Sequence, residues 1–253
     1  MGRSAKLKKE RNEAKRRLLD ENWAYFTSGR FLGEVQRLIR DSGANLDSSV
    51  TCAKVLQEIA GELLLDIQPV SVEVTVYNSI FTEHIAEHGL NPSEEDMHRL
   101  GEEGGRFVVL GPRNQKNDEE NWYGYVVALM TAKGKPPTVL DISIGQATRL
   151  EYGISCNRPM VFGIPDGFLA GTHVAVGFQP VADGKNCYVY KAIPGDKGFE
   201  KVLDWVRSYG AKAHDSVDFG DMPEKTPEEP LVDVPPAPQL LGPDGNPLGP
   251  PSE

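Results

Sequence analysis

Cys52 stands near the start of a helix-forming stretch, Leu46-Asp47-Ser48-Ser49-Val50-Thr51-Cys52-Ala53-Lys54-Val55-Leu56. A thiol in the first turn of a helix meets unpaired N–H groups and the positive end of the helix dipole. Both favour the thiolate and prime it as a nucleophile. With Ser49 as N-cap, Cys52 is the third helical residue and lies inside that turn. The competing expectation is a small buried apolar residue, because Cys52 shares a helix face with Leu56, Ile59, Ala60 and Leu63. Asp141 also draws notice, since it interrupts the apolar run Val139-Leu140-Asp141-Ile142. A carboxylate there must find donors, with Ser143 and Gln146 close in sequence, or it accepts backbone N–H groups at a strand end.

Two further segments complete a pattern: Asn121-Trp122-Tyr123-Gly124-Tyr125-Val126-Val127-Ala128-Leu129, then Pro137-Thr138-Val139-Leu140-Asp141-Ile142-Ser143-Ile144-Gly145-Gln146. With the Cys52 helix, over about residues 46–152, they resemble transglutaminase-like and papain-like thiol proteins, including bacterial and phage-borne ones. In that superfamily a strand opens with an aromatic-x-Gly-His pattern, and the next strand carries an Asp within an apolar run. The resemblance implies Cys52 as nucleophile and Asp141 as the group that orients the base, with Tyr125 in the histidine's place. It also implies Trp122, Gln146 and Arg149 on the substrate side, with Gln146 a donor to an oxyanion.

Tyr125 is the departure that decides the chemistry expected. A phenol with a pKa of ~10 does not take a thiol's proton at neutral pH as imidazole does. Losing a triad member costs orders of magnitude in rate. The expected function is therefore a catalytically degenerate thiol-fold module, a pseudoenzyme acting in binding. The alternative is an active thiol acyltransferase or amidase, a hydrolase using Cys52 with a replacement base drawn from His84, His88, His98 or His173. His84 and His88, four apart on a helix, read as a solvated face beside Glu83 and Glu87, and His173 as a hydrogen-bonded core residue. Cys156 and Cys187 read as structural thiols.

The positioning elements follow from periodicity. Trp23, Phe26, Phe31, Val35, Leu38 and Ile39 predict an amphipathic helix over 21–40, its continuity weakened by Gly29 and Gly33. A helix starting at Ser48 or Ser49 follows, then a strand in which Val70, Val72, Val74 and Val76 alternate with polar residues. Residues 79–104 read as a helical insertion. Strands are expected at 106–110, 122–130, 138–143, 159–164, 173–178 and 186–193, with a last helix over 198–209. Helices followed by an antiparallel sheet make an α+β domain of the papain/transglutaminase-like kind over residues 21–210.

The ends differ sharply in charge. Residues 1–20 hold eight Lys/Arg against three Asp/Glu, a basic arm that is helical or disordered. Ten of the 19 prolines fall between Pro223 and Pro251, among acidic residues, so 211–253 is expected to be a disordered tail. A protein or peptide partner fits this layout, and the arm leaves a small opening for nucleic acid, though it lacks aromatic residues for base stacking. With a formal charge of −10 the whole chain repels polyanions. Three scattered cysteines and no CxxC pair predict a reduced, cytoplasmic protein without zinc. No signal peptide, membrane span or phosphate loop is legible, and no cofactor is expected.

Overall fold

The computed structural model describes residues 3–41, 48–63, 65–90, 92–111, 124–181, 184–200 and 239–240. Helix α1 spans Arg3–Phe26, α2 Gly29–Asp41 and α3 Ser49–Glu62; the long strand β1 follows at Asp66–Tyr77. Two helices, α4 (Ser79–His88) and α5 (Glu94–Glu102), precede β2 (Phe107–Leu110), β3 (Tyr125–Thr131), β4 (Thr138–Asp141) and β5 (Met160–Gly163). The strands β6 (His173–Val181), β7 (Gly184–Ala192) and β8 (Gln239–Leu240) complete an antiparallel α+β fold.

Local chemistry explains the helix boundaries. The single helix expected over 21–40 is two, because Thr27 and Ser28 part α1 from α2. Thr27 Oγ1 donates back to the Trp23 carbonyl at 2.9 Å. Ser28 Oγ accepts the Phe31 N–H at 3.1 Å and so starts α2. Gly33 lies in unbroken helix, where Phe31, Leu32, Val35 and Ile39 supply a buried face. The basic arm is helical from Arg3, and α1 runs through residue 20 without interruption. Its Lys8, Lys9, Arg11, Lys15, Arg16 and Arg17 are exposed. Ser93 and Asp96 form a capping box at α5.

The strand order is β5-β4-β3-β1-β7-β6-β8, with β2 pairing the far half of β1. Strand β1 is central because its twelve residues serve β3 with one half, β2 with the other, and β7 along the opposite side. Alternation along β3 divides two cores. Val126, Ala128 and Met130 pack under α1–α3 with Cys52, Leu56 and Ile59. Tyr125, Val127 and Leu129 belong to the other face, with Val72, Val74, Tyr188, Tyr190 and the loop residues Ile144, Ile154 and Phe168. A smaller cluster seats α4 against Cys187 and Val189 of β7.

The expected last helix, 198–209, falls outside the described residues beyond Glu200, as does the tail over 211–253 apart from β8. At Gln239–Leu240 the chain is a strand where disorder was expected. The reason is local: Gln239-Leu240-Leu241-Gly242 is a proline-free window between Pro238 and Pro243, able to offer N–H groups to a ladder. Among the described residues no helix is long and apolar enough to cross a membrane, and no group of three or more His, Cys, Asp or Glu side chains could hold a metal ion.

Candidate functional site

Helix α3 begins one residue earlier than a Ser49 cap requires. Ser48 is the N-cap, its side chain accepting the Thr51 N–H at 3.2 Å. Ser49 is turned to the sheet, where its Oγ accepts the Val126 N–H at 3.0 Å and pins the helix start to β3. Cys52 thus becomes the fourth helical residue, and its N–H bonds the Ser48 carbonyl at 3.1 Å. It is the first residue past the turn of unpaired donors. The thiol is 1% exposed, among the apolar side chains between α3 and the sheet. Ser48→Ala should destabilise the protein by about 1 kcal/mol, read from urea unfolding, because the Thr51 N–H then loses its acceptor.

Tyr125 and Asp141 are brought together on the opposite side of β3. Tyr125 Oη donates to Asp141 Oδ1 at 2.8 Å and lies 3.0 Å from Oδ2. Tyr190 of β7, forty-nine residues downstream of the carboxylate, donates to Oδ2 at 2.9 Å. The Ser143 N–H donates to Oδ1 at 3.0 Å, and Ser143 Oγ lies 2.9 Å from Tyr125 Oη and 3.0 Å from Oδ1. All four residues are buried.

Burial dominates the electrostatics. It raises the Asp141 carboxyl above the ordinary 3.8, against the opposing pull of the Tyr125, Tyr190 and Ser143 hydrogen bonds. It raises the Tyr125 phenol well above 10.0; the Asp141 charge adds to this, and Cys52 contributes the smallest named cause. Tyr190 is raised the same way, by burial and then by Asp141. So Cys52 is within electrostatic reach of Tyr125, yet the two side chains belong to cores on opposite sides of β3.

The remaining candidates lie in or beyond the loop after β4. Gln146, half-buried, sits in the 3-10 turn Ile144–Ala147. Arg149 is exposed, and its guanidinium donates to the Gln146 and Thr148 carbonyls at 3.0 and 2.6 Å. These contacts brace the loop. Trp122 lies outside the described residues.

Four histidines lie within the described residues, and none of them belongs to the Asp141 cluster. His84 and His88 are neighbours on α4, with ring centroids 4.8 Å apart and ring planes tilted by 49°. His84 is buried, unlike the solvated face expected, because α4 lies on β7. His98 faces Glu102 on α5 at 3.6 Å. His173, half-buried at the start of β6, has its pKa lowered by burial and by nearby Lys191. Cys156 accepts a 3.6 Å contact from Tyr188 Oη, and burial pushes its thiol up to about 11.

Sequence reasoning missed Tyr190. The signal available was the alternation Tyr188-Val189-Tyr190, which puts two phenols on one face of a strand. Nothing local says that this face reaches Asp141.

No protein-family model, curated protein or solved structure matches this chain.

Proposed function

We propose that the chain is a catalytically degenerate transglutaminase-like thiol-fold module that works by binding a protein or peptide partner. One observation carries this reading: the carboxylate meant to orient a base is instead occupied by two tyrosine hydroxyls and a serine inside a closed core. A phenol raised above 10 offers no proton acceptor at neutral pH. Cys52 is buried, whereas nucleophilic cysteines sit in partly exposed, electropositive surroundings. In this reading the Cys-Tyr-Asp set persists as core structure, and the surface does the work.

Alkylation of Cys52 tests it. With iodoacetamide at pH 7.5, Cys52 in the folded protein should react at least a hundredfold more slowly than in urea, followed by peptide mapping to separate it from Cys156 and Cys187. Labelling of folded Cys52 faster than a free thiol would overturn the proposal. So would hydrolysis of p-nitrophenyl acetate by the wild type that disappears in Cys52→Ala.

A further inference from the structure

Helix α1 is longer than the domain can use. At its C-terminal end Leu19, Trp23 and Phe26 join the core under the sheet, and Asn22 Nδ2 donates to the Leu63 carbonyl at 2.8 Å. Lys135, in the turn after β3, fastens the same end through Asp20 at 2.8 Å. Before Leu19 the support stops, and every residue from Lys8 to Leu18 is exposed. At ~1.5 Å per residue this segment runs on for about 15 Å with no core beneath it.

Nothing in its own composition accounts for such an overhang. Residues 8–17 hold six Lys/Arg and two Glu, with Ala14 as the one apolar residue. Helices draw most of their stability from a buried face, and this stretch has none to bury. Ion pairs add little: Lys9 meets Glu13 at 3.9 Å, and among the described residues Lys8, Arg11, Lys15 and Arg16 are in no ion pair. Arg11 and Lys15, four apart, repel each other across one turn.

The cations are also gathered on one side. At about 100° per residue, Lys8, Lys9, Arg11, Lys15 and Arg16 fall within an arc of about 160°, with Asn12 near its middle. Arg11 and Lys15 lie towards one flank of the arc, Lys9 and Arg16 towards the other. Glu10 and Arg17 are on the opposite side of the helix. Lys8, Lys9, Asn12, Glu13 and Arg16 line an open concavity.

These features select among anionic partners. A membrane-surface helix needs a broad apolar face, and a coiled coil needs apolar residues at heptad spacing; the segment has neither. Single-stranded nucleic acid needs aromatic platforms, and the first aromatic residue of α1 is Trp23, packed on the core. A duplex asks only for cations, since its two strands carry one charge per ~1.7 Å of axis. The major groove of B-form DNA, ~12 Å wide, admits an α-helix and sets a phosphate wall along each of its flanks. Cations on both flanks of one arc match that layout.

We propose that Lys8, Lys9, Arg11, Lys15 and Arg16 of α1 form a docking surface for double-stranded DNA, holding the phosphates on either side of the major groove. Phosphate contacts carry no sequence information, so the surface binds without reading bases. The formal charge of −10 sits outside this arm, where residues 1–20 hold eight Lys/Arg against three Asp/Glu. No residue of the surface belongs to the Cys52 or Asp141 clusters, so its fate is separate from that of the thiol-fold reading.

The test titrates the full chain into a short fluorescein-labelled DNA duplex and follows anisotropy. Five phosphate contacts predict a slope of log K against log salt of about −4.5. Lys8→Gln, Arg11→Gln, Lys15→Gln and Arg16→Gln together should weaken binding at least a hundredfold at ~20 mM salt and flatten the slope to about −1. Gln is a good helix former, and circular dichroism checks that the helix persists. A charge-matched control removes four exposed cations from elsewhere: Arg40→Gln, Arg99→Gln, Arg158→Gln and Lys185→Gln. It should bind within about threefold of the wild type, because the net charge is not the determinant. Duplex RNA of the same sequence should bind at least fivefold more weakly, its major groove being too narrow for a helix. Absence of binding at tens of micromolar duplex would overturn the proposal, as would undiminished binding by the α1 variant or an equal loss in the control. Equal affinity for duplex RNA would remove the helix from the groove and sink the proposal too. Displacement of the DNA by poly-glutamate at equal charge concentration would do the same, making the partner an acidic protein.

Discussion

Asp141→Ala is expected to destabilise the protein by about 4 kcal/mol, the largest effect of any single substitution at the site. The reason is the number of donors that converge on this carboxylate. Removing it leaves the Tyr125 and Tyr190 hydroxyls and the Ser143 N–H buried without their acceptor. Each orphaned group forfeits about 1–3 kcal/mol of desolvation, partly recovered as Ser143 Oγ and Tyr125 Oη, already 2.9 Å apart, turn to one another. The control is to remove donors and acceptor together. Tyr125→Phe, Tyr190→Phe and Asp141→Leu combined should recover at least half of the loss, because both buried phenols are gone and only the Ser143 N–H and hydroxyl are left without their former partners. Urea unfolding measures all of these. A loss below ~1 kcal/mol for Asp141→Ala would mean that water reaches the cluster.

Alkali should unfold the protein steeply. Burial raises the Tyr125 and Tyr190 phenols well above 10.0 and the Tyr188 phenol in the same direction. It also pushes the Cys156 and Cys187 thiols up from 9.0 to about 11 and about 12. In each case the folded state keeps a proton that the unfolded chain releases. Stability is therefore full below pH 9, and falls as pH rises through the thiol and then the phenol range. Each group contributes about 1.4 kcal/mol per pH unit, so two thiols from pH 9 and three phenols from pH 10 give an expected loss on the order of 10 kcal/mol by pH 11. Denaturation midpoints in urea across that range check it, and Tyr190→Phe should lower the slope above pH 10 by about one proton. Phenolate absorbance from all eight tyrosines rising reversibly before unfolding would refute the prediction. Asp141 has the same sign at acid pH: between 3.8 and its raised folded value, its contribution to stability falls as pH rises.

Much of the framework was legible because it is periodic. The valines of β1 alternate, the apolar residues of α2 and α3 recur at helical spacing, and those patterns survive in the structure as buried faces. Tyr125 and Asp141 meet because adjacent antiparallel strands set them on one side of the sheet. Boundaries were less legible. Ser28 and Ser48 cap their helices through single side-chain hydrogen bonds, and the choice between neighbouring serines depends on which one the sheet claims, as β3 claims Ser49.

By itself the sequence determined the order of elements, the apolar faces and the charged ends, since these follow from local spacing and composition. Only the tertiary structure decided which side of β3 each group occupies: Cys52 among the helices, Tyr125 and Asp141 in the other core, with Tyr190 brought in across the sheet. The physical reason is that strand register is a long-range property. One residue of slip exchanges the two faces, and nothing near Tyr190 in the chain says which acceptor it will meet.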